Sequence, residues 1–106
     1  MPTYIISRHK IFDRKRFHQM QESFLAIKPP DAIVLAGDHS PTVTSGEDHC
    51  DHASIVVFHD RTAALNFIYS PECRNFVILR EACAQTETML IDGDLIDLDT
   101  LSKVIL

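Results

Sequence analysis

The sequence predicts an α+β domain with the element order βαββαβ, and three features of the chain support that order. Short runs rich in β-branched residues are separated by segments whose apolar residues recur at helical spacing. Residues 54–93 run as a strand, a helix, a Ser-Pro break, a second helix and a closing strand. The strands are apolar on both faces, unlike strands of a sheet with one wet face, which alternate. A strand, a helix, a hairpin, a helix and a strand in succession form the split βαβ arrangement of the ferredoxin-like fold.

The first half of the chain supplies the first two strands and the first helix. Residues 4–8 form an apolar first strand, and Asp13 is placed to cap the helix that follows. The buried stripe of that helix recurs at helical spacing and consists of Phe17, Met20, Phe24 and Ile27. Pro29-Pro30 ends the helix, because the residue before a proline avoids helical backbone angles. Residues 32–36 form the second strand, and residues 42–45 form either a short continuation of it or an edge strand before a polar loop.

The second half of the chain has clearer helix boundaries. Residues 54–59 form a β-branched third strand, and Asp60 follows it as a helix N-cap. Ser70-Pro71 then restarts the helix, because Ser caps well and Pro suits the first helical position. Residues 86–92 return as the last strand, which ends at Gly93.

The helices of this arrangement cover one face of a four-stranded sheet, and the other face needs a cover as well. Residues 33–35, 55–57 and 89–91 place aliphatic side chains on both faces of the pleat. The most economical cover is a second copy of the sheet, so the sequence predicts a homodimer. Residues 1–93 form this domain, and the apolar residues 94–106 form a C-terminal extension that we expect to pack on its own subunit or on the partner.

Composition predicts a single cytoplasmic domain. A chain of 106 residues, 45% of them hydrophobic, can build one core. The net charge of −5 disfavours nucleic acid as a partner, and no apolar run approaches the ~20 residues of a membrane span. The first residues lack the pattern of a secretory signal, and three cysteines without CxxC spacing argue against a disulfide framework.

Specific residues in the second half of the chain carry a family pattern. They are Phe58, Ala64, Phe67, Ser70-Pro71-Glu72, Leu79-Arg80 and Gly93. A looser match in the first half consists of Tyr4, Asp13, Phe17, Gly37 and Gly46. With this pattern the chain resembles a small bacterial family known as domain of unknown function 1330, within the dimeric α+β-barrel superfamily. The chain departs from the family at Ala36, Ser45 and Cys73, where the family has Arg, Glu and Tyr. The resemblance implies a ferredoxin-like fold and a dimer.

Arg80 is the central residue of the main candidate site. The stripe that its helix should present to the sheet recurs at i, i+3 and i+7 and consists of Phe76, Leu79 and Cys83. Arg80 lies next to that stripe, so we expect its guanidinium at the boundary of the interior. The planar fork of Arg suits a carboxylate or an enolate, and an Arg without a partner is costly to bury. The alternative is a structural Arg80 that pairs with Glu81, Glu87 or a backbone carbonyl.

Polar residues of the strands complete this candidate site. We expect Tyr4 to join Arg80 in ligand binding. His9 and His59 stand at strand ends, and we assign them acid/base catalysis because His titrates near neutral pH.

Two other groups of residues are candidates for a chemical role. His49 and His52 would converge on a metal if the loop of residues 47–52 made one turn, although a polar loop of this length is also typical of a solvated connection. We expect no required metal and no cofactor. Cys73, at the third position of the helix capped by Ser70, is either a thiolate favoured by the helix dipole or a small buried side chain.

Two functional hypotheses follow. The first is a dimeric α+β barrel that binds a small anionic or carbonyl-bearing metabolite, with cofactor-free isomerase or oxygenase chemistry, as in wider relatives of the superfamily that the chain resembles. The second is a non-catalytic protein-interaction or ligand-sensing module. An apolar cavity that contains Arg80 and a His favours the first hypothesis, whereas a filled interior with an apolar outer patch favours the second.

Overall fold

A computed structural model of the chain describes residues 1–93 and shows an antiparallel four-stranded sheet with three helices. The elements, in chain order, are β1 (Thr3–Ile11), α1 (Arg14–Ile27), β2 (Ile33–Asp38), β3 (His52–Phe58), α2 (Arg61–Ile68), α3 (Pro71–Glu81) and β4 (Ala84–Asp92). The strand order across the sheet is β2-β3-β1-β4. This topology confirms the predicted ferredoxin-like α+β fold, and the predicted extension of residues 94–106 lies outside the described residues.

The helices begin at the capping residues that the sequence indicates. The side chain of Asp13 accepts a hydrogen bond from the backbone N–H of Arg16, and that of Asp60 accepts one from Ala63. The hydroxyl of Ser70 accepts one from Cys73, with Pro71 at the first helical position. Each bond pairs a backbone donor that a helix start leaves without a partner.

Residues 42–45 form neither the predicted continuation of the second strand nor the predicted edge strand. The chain from residue 39 to residue 51 contains no strand, and β2 is the edge of the sheet on that side. Pro41 lacks the N–H that a strand needs for pairing, and Gly46 has a φ of 90°, a turn conformation. The β-branched residues at 42–44 therefore belong to a loop.

The buried stripe of α3 differs from the predicted one. Leu79 is 50% exposed, whereas Cys73 and Phe76 are buried. Val77 and Arg80 are half-buried on the same face, because they follow Cys73 at i+4 and i+7. The prediction that Leu79 is buried was wrong, because α3 is oriented with Arg80, and not Leu79, on its inner face.

The register of the strands divides the sheet into two faces. Ile5, Ser7 and His9 of β1 point toward the helices, and this side is called the inner face. The opposite side is called the outer face, and its apolar part consists of Tyr4, Ile6, Ile33, Ile55, Val57, Met89 and Ile91. Arg8, Lys10, Gln85 and Glu87 form a polar part at one end of the same face. In the apolar part, Met89 and Ile33 are each 56% exposed. Both faces thus have apolar surface, as the sequence predicts, and within residues 1–93 only the inner face is covered.

The core lies between the inner face and the helices. Its largest buried side chains include Phe17 and Met20 of α1, Phe58 of β3, Phe67 of α2 and Phe76 of α3. Among the helices of residues 1–93, none has the length and apolar composition needed to cross a membrane.

Candidate functional site

A cavity of about 550 Å³ lies between the inner face of the sheet and the three helices. This volume falls within the range of sites that hold small molecules. The rings of Phe24, Phe67 and Phe76 form much of its helical wall. The helices therefore do not fill the space above the sheet, and the interior can hold a ligand.

The strand register arranges the floor of the cavity into rows. His9 is opposite His52 on one side and Thr86 on the other. The next row, two residues along the strands, consists of Ser54, Ser7 and Thr88. The third row is aliphatic and consists of Val56, Ile5 and Leu90. The floor thus changes from imidazole to hydroxyl to hydrocarbon along the strand direction.

The charged residues of the cavity are all basic. Its lining contains two Arg and three His, and within the described part of the chain no Asp or Glu lines it. The whole chain, by contrast, has a net charge of −5. Arg61 donates to Asp92 over 3.0 Å and is neutralised there. Within residues 1–93 the guanidinium of Arg80 is therefore left as an uncompensated positive charge in the lining, and an anion would complement it.

Arg80 has no acidic partner among residues 1–93. Its Nε atom is buried and has no hydrogen-bond partner, and its guanidinium carbon lies 5.8 Å from the ring centre of Phe76. The alternative pairing with Glu81 or Glu87 is not what the described structure shows, since Glu87 lies 4.0 Å from Arg8 instead. Arg80 lines the cavity with part of its donor capacity unused.

His9 is a neutral imidazole at the polar end of the cavity. Its side chain is 5% exposed, and its Nδ1 atom lies 2.8 Å from the hydroxyl of Thr86. Burial, together with the nearby His52 and Arg80, lowers the pKa of His9 from 6.5 to about 4. The Thr86 hydroxyl can donate to Nδ1 of His9 or accept from it, so it is compatible with either tautomer of the ring. Nε2 carries a lone pair in one tautomer and a proton in the other.

His52 lies beside His9, with 5.4 Å between the two ring centres. The side-chain nitrogen of Gln21 lies 3.2 Å from Nε2 of His52. An amide nitrogen only donates, so Nε2 accepts and the proton of His52 is on Nδ1. That Nδ1 atom is buried without a partner. Burial, followed by the neighbouring His39, lowers the pKa of His52, so this ring is neutral at pH 7 too.

The structure does not bring the other predicted site residues into the cavity. Tyr4 lies on the outer face of the sheet, because it has opposite parity to His9 along β1. His59 is exposed in the turn after β3 and is not among the lining residues. His9 and Arg80 line the cavity together, whereas Tyr4 and His59 lie apart from them.

The loop with the two candidate metal ligands is divided between two environments. His49 is exposed and lies 3.1 Å from the carboxylate of Asp51, whereas His52 is buried in the cavity. Among residues 1–93, no three His, Cys, Asp or Glu side chains are arranged to hold a metal ion.

Cys73 is a buried thiol on the cavity side of α3. Burial raises its pKa, an effect opposite to the activation of a thiolate. Of the two alternatives for Cys73, the structure supports the small buried side chain.

Sequence reasoning did not assign several residues of the cavity. It treated His52 only as a metal candidate, and it passed over Gln21, Ser7 and Ser54. The period-two alternation of β1 contains part of the missing signal, since Ser7 and His9 must share a face. The position of Ser54 beside Ser7 depends on the pairing of β1 with β3, and no local pattern shows that pairing.

The fold and the cavity together define a ferredoxin-like α+β protein with a small-molecule-sized space between its sheet and its helices. The chain belongs to the family described as domain of unknown function (DUF1330), whose model matches residues 2–94. This match confirms the resemblance seen in the sequence. No curated protein matches the chain.

Solved structures of low sequence identity share the fold. A hydroxynitrile lyase from Passiflora edulis is 22% identical, with a TM-score of 0.62 over 89% of this chain and 96% of that chain. A dimeric ferredoxin-like protein of unknown function from Thermobifida fusca is 10% identical, with a TM-score of 0.61 over 86% and 90%. A cofactor-independent oxygenase from Streptomyces nogalater is 15% identical, with a TM-score of 0.57 over 89% and 94%. These likenesses establish the fold, and fold alone does not define a reaction.

Proposed function

We propose that the cavity binds a small anionic or carbonyl-bearing molecule, with Arg80 as its anchor and His9 as the adjacent acid/base group. The observation that carries this proposal is the composition of the lining. Two Arg, three His and no carboxylate among residues 1–93 surround a cavity of about 550 Å³ in a chain of net charge −5. The uncompensated, partly desolvated guanidinium of Arg80 in that lining selects an anion or a carbonyl oxygen over a cation.

Arg80 is the better anchor of the two arginines. Arg61 already donates to Asp92, whereas Arg80 has a buried Nε without a partner. A buried donor left unpaired costs about 1–3 kcal/mol, and a ligand oxygen that accepts from it removes that cost. The planar guanidinium also holds a carboxylate or an enolate with two parallel hydrogen bonds.

His9 supplies proton-transfer chemistry beside that anchor. Burial, His52 and Arg80 lower the pKa of His9 to about 4, and a bound anion that neutralises Arg80 would raise this pKa toward the range of a general base. We propose that His9 removes a proton from carbon next to the ligand carbonyl, while Arg80 stabilises the enolate oxygen. This step needs no cofactor and is common to isomerases and to oxygenation of a carbanion. The cofactor-independent oxygenase and the lyase among the structural neighbours support such chemistry on this fold.

We further propose that two chains form a homodimer through the outer face. Ile33, Met89 and Ile91 are between 45% and 56% exposed on that face. A continuous apolar sheet surface of this kind is costly in water and matches a second copy of itself around a two-fold axis. The dimeric neighbour from Thermobifida fusca supports this assembly.

We also propose a cytoplasmic location, because all three cysteines are free thiols, which a reducing compartment maintains.

A thermal-shift screen of small carboxylates tests the anchor role of Arg80. Hits that stabilise the wild type should stabilise Arg80→Lys much less, because Lys keeps the charge but loses the bidentate fork. Arg74→Lys is the matched control, since Arg74 is exposed on the same helix. Equal stabilisation of all three proteins by every hit would remove Arg80 from the site. The non-catalytic module would then be the better hypothesis.

A further inference from the structure

The cavity has a direction, and it runs along the strands. Successive rows of the floor are two residues apart, which is about 7 Å in a β-strand. The rows pass from the imidazoles of His9 and His52, through Ser7 and Ser54, to Ile5 and Val56. Polarity therefore falls steadily from one end of the cavity to the other.

The hydroxyl row is open to a ligand. Within residues 1–93, the hydroxyls that form side-chain hydrogen bonds belong to Thr3, Thr86 and Ser70. Those of Ser7 and Ser54 line the cavity without such a bond. Two serines side by side at the centre of the inner face are a poor choice for packing alone, because partly buried hydroxyls need partners.

The opposite end of the cavity is aromatic and carries no uncompensated charge. Phe67 contacts both Phe58 and Phe24, with ring centres 5.6 and 5.9 Å apart. The charged side chain near this end is Arg61, which pairs with Asp92. A hydrocarbon or aromatic group is the chemistry that such walls favour.

Helix α3 places its one basic lining residue at the polar end. Arg80 is in the last turn of the helix and lies close enough to His9 to disfavour its protonated form. Cys73, in the first turn, lies seven residues back, which is about 10 Å along the helix axis. The anchor for an anion and the hydroxyl row are thus at the same end of the cavity, which is the end away from Phe58 and Phe67.

We propose that the ligand is an elongated amphipathic acid that lies along the strands, with its carboxylate or enolate over Ser7 and Ser54 and its apolar body over Ile5 and Val56. This inference rests on the proposed function and deepens it by naming the ligand class and its orientation. Ser7 and Ser54 are binding residues in this account, and the aliphatic row determines which chain lengths bind.

Unbranched carboxylates from acetate to octanoate, with octylamine as the cationic counterpart, test the proposal by amide NMR titration. Affinity should rise about fourfold per methylene, the equivalent of about 0.8 kcal/mol, until the aromatic end is reached. Acetate should shift the amide signals of Ser7 and His9, and octanoate should shift those of Val56 and Phe58 as well. Octylamine should bind far more weakly than octanoate.

Two variants separate the head of the ligand from its body. The double variant Ser7→Ala, Ser54→Ala should weaken every carboxylate by the same factor, about threefold to tenfold, because it removes only head-group hydrogen bonds. Val34→Thr adds a hydroxyl beside Val56 at nearly constant volume and should weaken only the longer carboxylates. Ser45→Ala, in the exposed loop, is the control and should change nothing.

The possible failures are distinguishable. If carboxylates bind with dependence on Arg80 but with the same affinity at every length, the orientation is refuted and the proposed function stands. If the double serine variant binds carboxylates with wild-type affinity, the head-group role of Ser7 and Ser54 is refuted, and the proposed function again stands. If no carboxylate of any length binds, or octylamine binds as tightly as octanoate, the anion anchor at the centre of the proposed function is itself refuted.

Discussion

Acid should destabilise this protein well before its carboxylates titrate, because His9 is buried in the neutral form. The pKa of His9 is about 4 in the folded chain and 6.5 without burial. Between these two values the unfolded chain binds a proton at this position and the folded chain does not. The free energy of unfolding therefore falls as the pH drops from 6.5 toward 4.

The magnitude follows from the size of the shift. Each pKa unit is worth about 1.4 kcal/mol, so a change from 6.5 to about 4 removes about 3 kcal/mol. The side chain is 5% exposed, so solvent screens this effect little. His52, whose pKa is lowered by burial, adds to the loss with the same sign. The carboxylates of Asp48, Asp51 and Asp92 have lowered pKa values and contribute only at still lower pH.

Urea unfolding at pH steps between 7 and 4.5 measures this effect directly. The wild type should lose most of the expected free energy across that range, and His9→Gln should lose much less, because Gln can bond Thr86 but does not titrate. Gln19→Asn, at an exposed position of α1, is the control and should keep the wild-type slope, because neither side chain titrates. A wild-type stability that is flat from pH 7 to 4.5, or an equal slope in His9→Gln, would refute the reasoning.

The other predictions concern the dimer, the effect of chelating metals and the hydrogen bond between Thr3 and Asp92. Val57→Asp, on the outer face, should give a monomer of 12.0 kDa or an unfolded chain, because an unpaired charge opposes the apolar contact, whereas Asn75→Asp, exposed on α3, should keep the dimer; light scattering that shows an intact Val57→Asp dimer would place the interface elsewhere. Chelation should leave the Tm nearly unchanged, because the core supplies the folding energy, and a large drop restored by one metal would contradict this. Thr3→Val should lower the Tm by several degrees, since buried Thr3 donates to Asp92 over 2.6 Å, and Thr42→Val in the exposed loop should not; equal melting of the two variants would show that this bond adds no stability.

Most of the fold was predictable because its signals are local. Asp13, Asp60 and Ser70 mark helix starts through bonds to residues three positions away, and such bonds leave a sequence pattern. The prediction that Tyr4 shares a site with Arg80 and His9 was an avoidable error. Tyr4 and His9 are an odd number of residues apart in one strand, so their side chains lie on opposite faces of the sheet. The false edge strand at 42–45 came from β-branched residues that have no neighbouring strand to pair with.

The cavity was less predictable because non-local contacts create it. Ser54 joins Ser7, and His52 joins His9, through a register between strands more than forty positions apart in the chain. The rotation of α3 that exposes Leu79 and turns Arg80 inward depends on how the helix packs, since both positions follow Phe76 at helical spacing. Apolar residues at that spacing define a stripe but not its centre.

A structure of the protein with a carboxylate from the screen tests the central claim most directly. The account predicts the carboxylate in the cavity, with its oxygens about 2.7–2.9 Å from the guanidinium nitrogens of Arg80, as in charge-assisted hydrogen bonds. Its hydrocarbon end should lie over Ile5 and Val56. A carboxylate bound on the outer face, or one in the cavity with its charged end against Phe67, would contradict the account.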